Sequence, residues 1–349
     1  MKYTLQKKNY RNFKIFRDNI TEPRAYFIPF GKFADAKNTD VRQERYTSDM
    51  VTCLSGEWDF KFYQHNSKVP DIFDTSYIKF DKVTVPSTWQ RTGYTEPVYL
   101  NCPYEFQLPP PAIPDDMTAG VYRKKFDIAD TTKKYILTFL GAANNIEVYL
   151  NGSYIGYSEG SHNTAEFDIT DKIVAGSNEL VVLMYRWCTG TYLECQDMFR
   201  ETGIFRDVLL SAYGDSYIYD YQVSSVKKDG KYDMTCDVEI PAYTEGCTVK
   251  VSLFDGENEI ASEEKKVSQK MQFSFAGLDV TEWNAEIPTL YTVFVTLLKN
   301  GEEVMSLRSY TGFKTVEIIG NVFYFNGKKI KFKGVNHHDT HEKTGYVMS

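Results

Sequence analysis

At 349 residues the chain is too long for one ordinary domain and suggests two or three. Hydrophobic residues make up 42% and charged residues 25%, the balance of a globular protein that can bury real cores. A net charge of −7 argues against a nucleic-acid partner, because phosphate binding needs a basic surface, and no basic stripe suits an anionic membrane.

No apolar run approaches the ~20 residues that span a bilayer. The N-terminus carries Lys2, Lys7 and Lys8 but no apolar run behind them, so no signal peptide is read. Six cysteines without a C-x-x-C pair read as reduced, mostly buried thiols, and the expected compartment is the cytoplasm. Aromatics reach 15%, which favours strands and aromatic-lined clefts.

In chain order, residues 1–44 read as an irregular lead-in segment. Residues 45–213 then read as short strands with Gly, Asn, Asp and Pro punctuation, the pattern of a sandwich or barrel. Tyr135 to Leu140 is a compact β-prone run. Ile146 to Leu150 alternates, Asn151-Gly152 supplies a tight turn, and Ser153 to Tyr157 returns. Leu180 to Tyr185 and Ile204 to Leu210 read as further strands. Residues 214–315 hold simpler, more charged alternating strands over the length of an immunoglobulin-like sandwich. In residues 316–349 a hairpin turns on Asn326-Gly327, and Lys331 to Asn336 reads as a new strand. Trp58, Trp89, Trp187 and Trp283 sit in strand-like runs and are expected in cores.

Several stretches resemble glycoside hydrolase family 2. Leu54-Ser55-Gly56-Glu57-Trp58-Asp59-Phe60, Val85-Pro86-Ser87-Thr88-Trp89-Gln90, Gly141 to Gly152 and Phe167-Asp168-Ile169-Thr170 resemble its sugar-binding jelly roll. Trp283 to Tyr291 resembles the end of its immunoglobulin-like domain. Gly312-Phe313-Lys314 and Gly334-Val335-Asn336-His337-His338-Asp339 resemble the approach to its catalytic (β/α)₈ barrel. Two longer stretches, Gly93 to Tyr104 and Tyr192 to Val208, narrow the resemblance to the lac-type β-galactosidases. Relatives that cleave glucuronides or mannosides differ in both. The resemblance implies an all-β chain: a jelly-roll sugar-binding sandwich, an immunoglobulin-like sandwich, then the first strand of a truncated (β/α)₈ barrel.

It also implies a chemistry. Retaining glycosidases use two carboxylates about 5–5.5 Å apart, one as acid/base and one as nucleophile. The family carries both as glutamates late in a barrel of about 250 residues. Glu342 is the one glutamate after Lys331, so no catalytic residue is assigned in this chain. The resemblance places Asn101 and Asp197 on loops that bond galactose hydroxyls, and makes Asp197 a sodium ligand. A carboxylate suits both roles, as an acceptor for sugar O–H groups and a hard oxygen ligand. Asp197 also reads plainly as a loop acid capping backbone N–H groups, and Asn101 as a turn amide. His338 matches a family histidine just after the first barrel strand, at the end of the strand that lines an active face. His337 and Thr340 depart from the commonest family form. His337, His338 and His341 do not form a helical pair backed by a carboxylate base, so they argue little for zinc.

The implied whole is a retaining β-galactosidase acting on terminal β-D-galactosides such as lactose, with magnesium and sodium as cofactors and a homo-oligomeric assembly. The 349-residue chain alone is expected to be inactive. The competing reading is a stand-alone carbohydrate-binding or adaptor module without catalysis.

Overall fold

A computed structural model describes the chain except for Cys102, Cys195, Gln196 and Ser349. It divides into two compact units, one of residues 1–22, 52–212 and 336–349, the other of residues 23–51 and 213–335. The lead-in segment therefore does not stand by itself; its halves belong to different units.

The first unit is a sandwich of a seven-stranded antiparallel sheet and a four-stranded sheet. The larger runs, in spatial order, Arg17–Asp18, Ser153–Glu159, Asn145–Leu150, Gly176–Tyr185, Ala119–Ile128, Gly56–Tyr63 and Asp81–Val85. The smaller runs Ala165–Asp168, Lys134–Phe139, Val208–Tyr213 and Val51–Cys53. Between them lies a core that includes Trp58, Phe60, Trp89, Tyr122, Leu137 and Phe167.

The run Leu180 to Tyr185 is buried at every residue, and the reason is a second core on the opposite face of the large sheet. Leu180, Val182 and Met184 join the sandwich core. Val181, Leu183 and Tyr185 join Tyr3, Leu5 and Tyr10 of the lead-in segment. A strand covered on both faces reads as a continuous apolar run, where a half-exposed one would alternate. The hairpin at Asn151-Gly152 forms as the sequence demands, with φ of +50° and +84° at the two turn residues and Leu150 paired to Ser153.

One strand of the sequence reading is broken. Ile204 to Leu210 divides into Gly203–Ile204 and Val208–Tyr213. Residues 206 and 207 turn aside to serve the neighbouring loop. The Arg206 amide donates to the Gly141 carbonyl at 3.2 Å. The Leu140 amide donates to the Asp207 carbonyl at 3.1 Å, and Ser55 Oγ donates to the Asp207 carboxylate at 2.9 Å.

The second unit is a sandwich of three strands (Asp220–Lys228, Lys231–Glu239, Lys270–Leu278) and four (Asn258–Lys266, Cys247–Asp255, Tyr291–Lys299, Glu302–Thr311). Alternate residues of Lys231–Glu239 are buried, as a strand with one wet face requires. A small antiparallel sheet follows, Val316–Ile319, Val322–Phe325 and Lys328–Lys329, with Asn326-Gly327 as its second turn. Residues 331–336 form no strand. Local β propensity does not hold a strand whose backbone has no neighbour to pair with, and no ladder among the described residues receives it.

Of the tryptophans, Trp58 and Trp89 are fully buried, whereas Trp187 and Trp283 are half-buried. Cys53, Cys188, Cys236 and Cys247 are free thiols, and Cys102 and Cys195 lie outside the described residues. Among the described residues no helix is long and apolar enough to cross a membrane.

Candidate functional site

The two stretches whose resemblance narrows to β-galactosidases meet in one short antiparallel ribbon. Val98–Tyr99 pairs antiparallel with Phe199–Arg200, Tyr99 opposite Phe199 and Val98 opposite Arg200. Asn101 follows Tyr99 by two residues and Asp197 precedes Phe199 by two, so both lie just beyond the same end of the ribbon. Three side chains lock the ribbon. The Tyr99 hydroxyl donates to Oδ1 of Asp197. Arg200 Nη2 donates to the Leu100 carbonyl at 3.0 Å, and the Tyr104 hydroxyl to the Tyr192 carbonyl at 3.0 Å. Asn101 and Asp197 are both exposed.

Beneath the ribbon, the Val85-Pro86-Ser87-Thr88-Trp89-Gln90 motif holds its base. The Ser87 amide donates to the Ile204 carbonyl at 2.9 Å and the Trp89 amide to the Thr202 carbonyl at 2.7 Å. Oε1 of Gln90 accepts from the Thr202 amide at 2.8 Å. Gly203 sits at φ +144°, and a Cβ there would lie 2.6 Å from the Ser87 carbonyl oxygen. Only glycine permits that approach.

His338 is exposed, in the segment 336–349 that belongs to the first unit. Its neighbours have other partners. His337 Nε2 lies 2.7 Å from Asp339 Oδ1, and His341 Nδ1 accepts from the amides of Lys343 and Thr344 at 3.2 Å. Among the described residues no three His, Cys, Asp or Glu side chains converge as a metal would need.

A polar cavity that the sequence reading missed lies in the same unit. It is lined in part by Glu105, His162, Arg186, Glu194, Glu201 and Tyr346. Its volume, about 30 Å³, admits a water-sized occupant and not a sugar, which needs roughly ten times that. Glu105 and Arg186 form a bidentate pair (2.7 and 3.0 Å) with both side chains 10% exposed. Glu194 accepts from the Ser161 amide at 2.6 Å and from its hydroxyl. Burial nevertheless pushes the Glu194 carboxyl above its ordinary value, because those bonds do not offset the lost water. His162 moves the other way: burial, then the Arg206 charge, lower its affinity for a proton. The signal for Glu194 was present, since it lies within the Tyr192 to Val208 stretch; nothing local marked His162.

These features belong to a known class. The sugar binding domain of glycosyl hydrolases family 2 matches residues 51–213, and a second domain of glycosyl hydrolases family 2 matches residues 216–314. The chain belongs to glycosyl hydrolases family 2. Within it, the chain is 36% identical over 332 residues to a β-galactosidase of Actinobacillus pleuropneumoniae, covering 95% of this chain and 32% of that protein. It is 33% identical to a β-galactosidase of Staphylococcus xylosus, covering 99% of this chain and 34% of that protein. The chain thus spans about a third of the length of these curated relatives. Among solved structures, a Bifidobacterium dentium β-glucuronidase superposes with a TM-score of 0.67 at 22% identity, over 87% of this chain and 55% of that one. At that identity the likeness concerns the fold and does not choose between sugars.

Proposed function

We propose that this chain supplies the sugar-site rim of a retaining β-galactosidase that hydrolyses terminal β-D-galactosides such as lactose. The observation that carries the reading is the convergence of the two β-galactosidase-type stretches on one ribbon, with Asn101 and Asp197 at its exposed end. In this reading Asn101, Asp197 and His338 bond sugar hydroxyls, and such contacts favour turnover where they tighten at the transition state. Asp197 offers one anionic oxygen ligand to sodium; the other ligands, and magnesium, belong to sequence outside this chain. Residues 316–349 lead into a (β/α)₈ barrel, with residues 331–336 as its first strand once neighbours pair on both edges.

The gene provides the test. A reading frame that continues past Ser349 into about 250 residues of βα repeats, with two glutamates on strand ends, is the expected result. A frame that closes without them would instead favour a carbohydrate-binding module without catalysis.

A further inference from the structure

We propose that Glu201 is a positioning residue, whose buried carboxylate latches the turn at residues 341–346 and so sets the His338-bearing segment against the ribbon that carries Asn101 and Asp197. The latch itself rests on geometry; its consequence for a sugar rests on the function proposed above.

The Glu201 side chain is completely buried, and the Arg91 side chain beside it is 19% exposed. A carboxylate in that position is costly unless its oxygens are matched with donors. Arg91 Nε donates to Oε1 at 2.7 Å and Thr88 Oγ1 to Oε2 at 3.0 Å, both from the Val85-to-Arg91 loop. The third donor comes from far along the chain, the amide of Tyr346 to Oε2 at 3.0 Å. Arg91 also reaches the turn, with Nη1 3.4 Å from the Glu342 carbonyl.

The turn is shaped for this carboxylate. His341 and Gly345 exchange both backbone hydrogen bonds, at 3.0 and 2.9 Å. Gly345 lies at φ +63°, and a Cβ there would stand 2.0 Å from Glu201 Oε2. Glycine is required by the backbone angle and by the carboxylate together. Tyr346 then grips the ribbon. Its hydroxyl donates to the Phe199 carbonyl, and Phe199 is the residue paired with Tyr99. Its ring packs on His162 and Phe205, centroids 5.7 and 5.5 Å away. Phe199 and Glu201 thus both hold Tyr346, two and four residues after Asp197 and eight residues after His338 in the respective segments.

Amide hydrogen exchange read by mass spectrometry on the 349-residue chain tests this. Glu201→Gln and Gly345→Ala should each speed exchange across residues 341–348 by roughly tenfold or more, the loss expected of a charge-assisted bond. Peptides from Ala119–Ile128 and Gly176–Tyr185 should keep their rates. Glu201→Gln leaves Arg91 without its carboxylate and can unfold the sandwich; Gly345→Ala keeps both charges of that pair and strains the turn against the carboxylate, so it decides the matter in that case. Unchanged exchange at 341–348 in Gly345→Ala, or a wild-type segment already exchanging at the rate of a free peptide, overturns the latch. D-galactose with sodium chloride should slow exchange at residues 197–203 in the wild type and less so in Gly345→Ala. Equal slowing in both proteins rejects the positioning role. No slowing in either, with 341–348 still protected in the wild type, defeats the sugar reading and leaves the latch standing.

Discussion

A carboxylate taken out of water must be paired, hydrogen-bonded or protonated, and the acids around the cavity use different means. Glu105 and Glu201 each face an arginine. Glu194 accepts from Ser161 instead, and burial raises its pKa. A raised carboxyl contributes stability that is fully present below its ordinary value of about 4.5 and is lost as pH rises through the higher folded-state value. Glu194→Gln should remove that loss. The thermal midpoint of the wild type, compared with the variant, should fall progressively as pH goes from 4 towards neutral; parallel pH profiles would contradict the assignment. His162, depressed by burial and Arg206, carries the opposite sign, so its contribution is present above the ordinary histidine value and fades as pH falls. At the ribbon tip, Asp197→Asn in a β-galactoside-cleaving protein that carries this chain should lower kcat/KM by roughly 10–100-fold, the worth of a lost charged hydroxyl contact. It should also blunt the response to sodium. Unchanged kcat/KM across a sodium titration would remove Asp197 from the site.

At the level of elements, the ribbon depends on a backbone that one residue makes possible. Gly203→Ala would force a Cβ to within 2.6 Å of the Ser87 carbonyl oxygen at a φ that side chains rarely adopt. The expected cost is about 2–4 kcal/mol, read by denaturant unfolding; a loss below about 1 kcal/mol would mean the loop yields more easily than its geometry implies. The hairpin at Asn151-Gly152 was legible because two consecutive positive φ values admit few other pairs. The interruption at residues 205–207 was not, since Arg206 and Asp207 are diverted by the loop at Leu140-Gly141 and by Ser55, which are distant in sequence. Nor was the absence of a strand at residues 331–336, because a β-prone run states a preference and the ladder needs a partner. The apolar run Leu180 to Tyr185 reads as a strand, but that Tyr3, Leu5 and Tyr10 cover its second face depends on packing that no local pattern encodes.

For the whole molecule, the all-β character and the family were legible because long stretches survive with their punctuation intact, whereas the small polar cavity joins residues from Glu105 to Tyr346 that no spacing connects. The same inventory bears on catalysis. Protonating a leaving oxygen and trapping an oxocarbenium-like centre take two carboxyl groups flanking a sugar, about 5–5.5 Å apart in a retaining enzyme. At the ribbon tip Asp197 is exposed, with its Oδ1 receiving the Tyr99 hydroxyl; Glu96 of the same stretch and Asp339 and Glu342 of the His338 segment are exposed too, and Asp339 lies 2.7 Å from His337 Nε2. Glu201 is completely buried and committed to Arg91, Thr88 and Tyr346. Glu194 is committed to Ser161, and the cavity beside it, at about 30 Å³, is too small for a galactosyl ring. On the function proposed above, Asn101, Asp197 and His338 would supply contacts alone, and contacts without an acid and a nucleophile give binding and not turnover. The 349-residue chain by itself should therefore release no chromophore from a chromogenic β-galactoside above a buffer blank, with magnesium and sodium both supplied. A rate that copurifies with the chain and falls in Asp197→Asn would overturn this, through working carboxylates here or a second polypeptide completing the site; a rate untouched by that substitution would mark a contaminating enzyme.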